Sequence, residues 1–229
     1  MLADIKLGLK LMKYGFQVKM MAIFLVLFYV LGIVFELFMY NSALGGLYLG
    51  LCGTYLFQLA ITPSIGTLVS SSFAKKALQT SVPCTLCAVG TLINYTTYVI
   101  CELIRMNKTL GSYEGIAYRD ECTLAIVTIL IVVVMMVYSS VCYKKFVLGV
   151  IILIVFLAPV IFLSSGNLTT VVLNHFIGPD VSFSLTGIII AGYVVIIATS
   201  FVSYLLSLAV YKYEMDPKAY RSAMSRAGR

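Results

Sequence analysis

Apolar residues gather into long runs along this chain, and polar residues are confined to the gaps between them. Six runs reach or approach the roughly 20 residues a helix needs to cross hydrocarbon. They cover 20–39, 44–65, 84–104, 122–142, 146–163 and 185–211. No stretch alternates apolar and polar residues at period two for the length of a membrane strand, so a β-barrel is not expected. The pattern predicts an all-α membrane protein, a single transmembrane domain over 1–229 with six transmembrane helices.

Four segments between and before the runs carry their own patterns. In 1–19, Lys6, Lys10, Lys13 and Gln17 fall on one helical face, with Leu2, Ile5, Leu9, Met12 and Phe16 on another. That predicts an amphipathic interfacial helix whose lysines meet anionic lipid. In 70–83, serines can cap a short helix that places Phe73, Ala77 and Leu78 on one face and Lys75, Lys76 and Gln79 on the other. Pro83 marks its end or the start of the third span. A helix of this kind docks on the membrane surface or on another protein. Residues 105–121 read as a short structured loop. Pro159 is placed to kink or break the fifth span, and 166–179 fits a short re-entrant outer helix, too brief to cross.

Composition agrees with membrane insertion. Hydrophobic residues make up 61% of the 229 and charged residues 11%, against about a quarter charged in soluble domains, and mean hydropathy is +1.03. Of the 16 basic residues, all but Arg105, Lys108 and Arg119 fall in the loops on one side. The excess of Lys and Arg on cytoplasmic loops then places both termini, and the tail 212–229, in the cytoplasm of a multi-pass cell-membrane protein. The net charge of +7 is thereby a topology signal, and no nucleic-acid partner is expected. The first apolar run begins at 20 and leads into further spans, unlike a cleaved signal peptide.

Catalytic chemistry is sparse. The sequence has no Gly-Lys dipeptide and so no phosphate-cradling P-loop, no H-E-x-x-H and no G-x-S-x-G. The single histidine, His175, has no ligand companions, and no metal site is expected. Cys84 and Cys87 form a lone C-x-x-C without a second pair, which reads as buried thiols, not zinc ligands. Glu36 and Glu102 are the acids inside spans. They snorkel to the outer interface, or line an outward cavity that attracts a cationic group, or, for Glu102, pair with Arg105 at i, i+3.

Together these features resemble the permease subunit of a type-2 ABC exporter. The likeness rests on the amphipathic start, six spans with both ends inside, and the broken outer segment between spans five and six. It rests also on the cytoplasmic stretch Lys76-Ala-Leu-Gln-Thr-Ser-Val-Pro83, which approximates the family's K-x-L-x-T/S-S-P with the proline one residue late. The resemblance implies that 70–83 is a coupling helix seated in a groove of a separate ABC ATPase. Phe73, Ala74, Lys75, Lys76, Ala77, Leu78 and Thr80 would then make the contact. It implies two ATPase copies carrying ATP and Mg, a second and identical permease chain, and no catalysis by this chain itself. The expected cargo is an amphipathic or hydrophobic substrate, a cytolytic or antimicrobial peptide first among them. Rivals from other classes are a non-transporting scaffold or immunity protein, which needs no coupling helix, and a membrane-embedded enzyme. A secondary transporter would show two inverted halves with matching broken helices.

Overall fold

Within an apolar medium the backbone has only itself to hydrogen-bond, and this chain answers with helices throughout. The computed structural model describes residues 2–12, 18–39, 42–65, 75–109, 115–159 and 184–216, and no strand occurs among them. The helices are α1 (Leu2–Met12), α2 (Val18–Phe38), α3 (Leu44–Ile61, ending in a 3-10 turn Thr62–Ile65) and α4 (Lys75–Gln79). They continue with α5 (Ser81–Thr109), α6 (Gly115–Cys142), α7 (Phe146–Ile152, running into a π-helical turn Leu153–Leu157) and α8 (Leu185–Val210).

Five stretches are long and apolar enough to cross a membrane: α2, α3 with its 3-10 turn, α4 continuing into α5, α6 and α8. The chain is therefore an all-helical protein suited to a multi-pass membrane setting. The predicted fifth span, 146–163, is described only to residue 159, as a shorter apolar helix Phe146–Leu157. The predicted outer helix 166–179, His175 and residues 160–163 lie outside the described residues.

Long helices alternate in direction, so the bundle has two chemically distinct ends. One gathers Gln79, Lys144 and Tyr213; the other gathers Glu36, Glu102, Arg105 and Glu121. Between them α3 and α6 are the most enclosed helices. Leu49, Phe57, Tyr95, Ile129, Val132 and Ile196 belong to the shared core. α2 and α8 leave broad apolar faces open, with Ile23, Phe38, Ile190 and Phe201 exposed, as expected of surfaces meant for hydrocarbon.

Small residues let the helices approach. A Cβ on Gly32 of α2 would lie 2.7 Å from Leu49 Cγ and 3.2 Å from the Leu49 backbone nitrogen. Above and below this point an aromatic ladder closes the α2–α3 seam. Phe35 meets Tyr48 at 5.2 Å and Phe28 meets Tyr55 at 5.3 Å between ring centroids. Polar side chains add interhelical bonds, which substitute in lipid for the missing hydrophobic drive between helices. The Tyr29 hydroxyl meets Thr97 Oγ1 at 2.8 Å, Asn94 Nδ2 donates to the Leu49 carbonyl at 3.1 Å, and Thr96 Oγ1 meets the Tyr193 hydroxyl at 2.9 Å.

Two departures from the sequence expectation have clear causes. The segment 105–121, expected as a loop, is helical at both ends, because α5 runs on to Thr109 and α6 begins at Gly115. The Arg105–Glu121 ion pair holds these two helix ends together, which hydropathy does not register. Ahead of Pro159, where a kink or break is expected, the helix widens into the π-helical turn Leu153–Leu157. A proline without its N–H leaves a carbonyl one turn back, and a widened turn is one way to accommodate that.

Gly32→Val is expected to destabilise the chain by about 1–3 kcal/mol through overpacking against a backbone that cannot withdraw. The thermal unfolding midpoint in detergent would show this. Gly187→Ala, whose new methyl meets only Ser184 Cβ at 3.8 Å, should leave the midpoint unchanged.

Candidate functional site

Pro83 organises the lysine-rich end. It stands in the first turn of α5, where its missing N–H is tolerated. The carbonyl one turn earlier, that of Gln79, loses the donor a continuous helix would supply. Ser207 of α8 supplies one instead, its hydroxyl donating to the Gln79 carbonyl at 3.3 Å. The same solution appears at Pro63, where the Thr62 hydroxyl donates to the Leu59 carbonyl at 3.2 Å and the Gln58 carbonyl at 2.6 Å. The bend at Thr80 separates α4 from α5 while the two remain nearly continuous.

The Gln79 side chain completes the junction. Lys144, between α6 and α7, donates from Nζ to Gln79 Oε1 at 2.7 Å and to the Tyr213 carbonyl at 3.0 Å. The chain after α8 folds back on the same loop. The Asp216 N–H donates to the Tyr143 carbonyl at 2.9 Å, and Asp216 Oδ2 accepts from the Phe146 N–H at 3.4 Å. Burial, and then the nearby Lys75 ammonium, hold Lys144 below the usual lysine range, with Glu214 opposing. Lys145 lies 4.1 Å and Lys212 5.2 Å from the Tyr213 ring centre, and those two cations pull the Tyr213 phenol below its ordinary value. Thus α4 is tied to α5 by the chain, to α8 by Ser207 and to the α6–α7 corner by Lys144.

The structure distributes the sequence-singled residues unevenly. Lys76 is exposed, and Lys75 and Ala77 are partly so. Leu78 and Thr80 are buried, at 1% and 2% exposure. They cannot reach a separate subunit from there. The apolar side of α4 expected to be open is covered by α1 and the end of α3, and the Thr80 hydroxyl is spent on the Lys76 carbonyl at 2.6 Å. Gln79, expected beside the lysines, is also buried. Phe73 and Ala74 lie outside the described residues, as does Lys13. Lys6 and Lys10 of α1 are exposed, while Gly8 on the same helix is seated against Val82 of α5.

At the opposite end, Glu36, Glu102, Arg105 and Glu121 converge, each 3% exposed or less. Arg105 Nη1 is 3.2 Å from Glu36 Oε1 and also donates to the Glu36 carbonyl at 3.2 Å. Nη2 donates to Glu102 Oε2 at 2.5 Å and to Glu121 Oε2. One guanidinium thus joins α2, α5 and α6, with its rigid fork of donors suited to several carboxylates at once. The i, i+3 pair with Glu102 is present, and neither Glu36 nor Glu102 reaches the surface of the chain. Glu121 is the member that sequence reading missed, since it sits at the edge of an apolar run and shows no periodic signal.

Other chemistry is modest. All six cysteines are free and buried, and no group of three or more His, Cys, Asp or Glu among the described residues is arranged to hold a metal. An open apolar groove of about 480 Å3 between α6 and α8 is lined by Ile126, Ile129, Leu130, Ile188, Ala191 and Val195, dimensions and character that suit an alkyl chain.

Ser207→Ala is expected to cost about 1–3 kcal/mol, the penalty of a buried carbonyl left without a donor. Pro83→Ala restores the helical N–H, so the same serine substitution in that background should cost clearly less. Unfolding midpoints of the four proteins in a double-mutant cycle would measure the difference. No family model, curated protein or solved structure matches the chain, which leaves its own geometry to carry the functional reading.

Proposed function

We propose that this chain is the membrane-spanning subunit of an ATP-driven exporter, powered by a separate ATPase that engages α4. The observation that carries the reading is the attachment of α4. A short helix at the lysine-rich end presents Lys75 and Lys76 outward and is anchored inward through Gln79 to α8 and to the α6–α7 corner. A displacement applied to its exposed side reaches three membrane helices through buried bonds, as an energy-coupling element requires.

In this arrangement the lysine-rich end faces the cytoplasm, and α4 offers two cations to acidic groups on the ATPase. Contact falls to Lys75, Lys76 and Ala77, since Leu78 and Thr80 are enclosed. Two copies of the chain and two ATPases would complete the machine. The substrate is amphipathic or hydrophobic, a peptide in the first instance, and the apolar groove between α6 and α8 is in keeping with an apolar portion. Selection of a cationic cargo by Glu36 and Glu102 is left out, because both carboxyls are occupied with Arg105.

Expressed with an ATPase encoded beside it, the chain should co-purify as a two-plus-two complex that hydrolyses ATP faster than the ATPase alone. Charge reversal at Lys75 and Lys76 together should abolish co-purification while leaving the unfolding midpoint of the chain in place. A complex that tolerates the reversal, or no complex at all, would defeat the proposal.

A further inference from the structure

Among the described residues of the acid-rich end, two buried carboxyls lean on the one guanidinium of Arg105. Glu36 and Glu102 direct one oxygen each at Arg105. Their other oxygens, Glu36 Oε2 and Glu102 Oε1, are buried without a hydrogen-bond donor. A buried ionised carboxylate with an unmatched oxygen is among the costlier arrangements a protein can contain. Two such groups on one Arg105 leave a surplus negative charge in an apolar surrounding, whatever balances Glu121. Both carboxyls sit on the terminal nitrogens of one guanidinium and so lie side by side. Two carboxylates cannot hydrogen-bond to each other, because neither has a proton to donate. A carboxylic acid and a carboxylate can, and the resulting pair carries one negative charge that Arg105 neutralises.

We propose that Glu36 and Glu102 form a proton-binding site between α2 and α5, with one proton shared by the two carboxyls and held against Arg105. Binding adds a proton from water to one carboxylate oxygen and breaks no other bond. The groups facing the pair come from each neighbouring helix. α5 contributes Tyr98, Cys101 and Arg105, and α6 contributes Glu121. α3 places the backbone of Gly45 against Glu36, while its Tyr48 turns away to stack on Phe35. Tyr98 and Thr128 bring buried hydroxyls to the neighbourhood of the pair, and Tyr98 stands one helical turn from Glu102. The proton occupies the seam where α2, otherwise the most weakly enclosed span, is joined to α5 and α6. Its release would put like charges on both sides of that seam and loosen α2. The site does not depend on the exporter reading.

Infrared spectroscopy of the purified full chain in lipid nanodiscs tests this directly. The unsubstituted protein at neutral pH should show the C=O stretch of a buried protonated carboxyl. Glu36→Gln and Glu102→Gln should each remove it, because the amide supplies the missing donor and the remaining carboxylate pairs with Arg105. Both variants should unfold within about 2 °C of the unsubstituted midpoint, the scale of a small stability change for a chain this size. Arg105→Gln should lower it well beyond that. Absence of the acid band at neutral pH would overturn the proposal, as would its survival in both glutamine variants. So would glutamine variants that lose as much stability as Arg105→Gln.

Discussion

Arg105 is the constraint on which the bundle's acid-rich end depends. It lies at 3% exposure, enclosed by the helices around it. A guanidinium so placed persists only if its donors are matched within the protein. The match comes from three helices, which therefore have to meet at one point. α2 brings Glu36, α6 brings Glu121, and α5 brings Arg105 with Glu102. Beside this point α2 and α3 run close together, with Gly32 of α2 against Leu49 and Gly45 of α3 against Glu36. Extension of α5 and α6 beyond their apolar runs follows from the same meeting.

The opposite end obeys the same demand through backbone groups. Pro83 removes a donor from the helical ladder, and the freed Gln79 carbonyl is met by Ser207 from a distant helix. Lys144 then binds the Gln79 side chain and the segment after α8. The two ends differ in strength. The acid-rich end is a multivalent ion pair, whereas the lysine-rich end is a chain of single hydrogen bonds beside partly exposed lysines. Between them the seams consist of glycine contacts, stacked aromatics and dispersion.

Hydropathy and charge made the broad design legible. The apolar runs at 20–39, 44–65, 122–142 and 185–211 correspond to helices with boundaries shifted by a few residues, because length and apolarity suffice to specify a helix where no alternative satisfies the backbone. A short helix before Pro83 and a helix near the start of the chain are present where periodicity placed them, while the serines expected to cap the former lie outside the described residues. Which face of α4 points outward was not legible. Leu78 looked available for a partner, and the chain's own α1 and α3 cover it. Local periodicity reports that a helix has two faces, but only distant elements determine which face is already occupied.

By itself the sequence determined that this is an all-helical chain with few charges to place, that its bases collect toward one end, and that a short basic helix precedes the third apolar run. Tertiary structure alone decided that Glu36, Glu102 and Glu121, separated by as many as 85 positions by their numbering, share one arginine. It alone decided that Ser207 answers Pro83. The reason is physical. Insertion into an apolar medium is governed by composition summed over about twenty neighbouring residues, which a linear reading can evaluate. Pairing of buried polar groups is governed by which helices come into contact and at what height, and that is settled by side-chain volumes at positions such as Gly32 and Gly192 that carry no charge and no periodic signal.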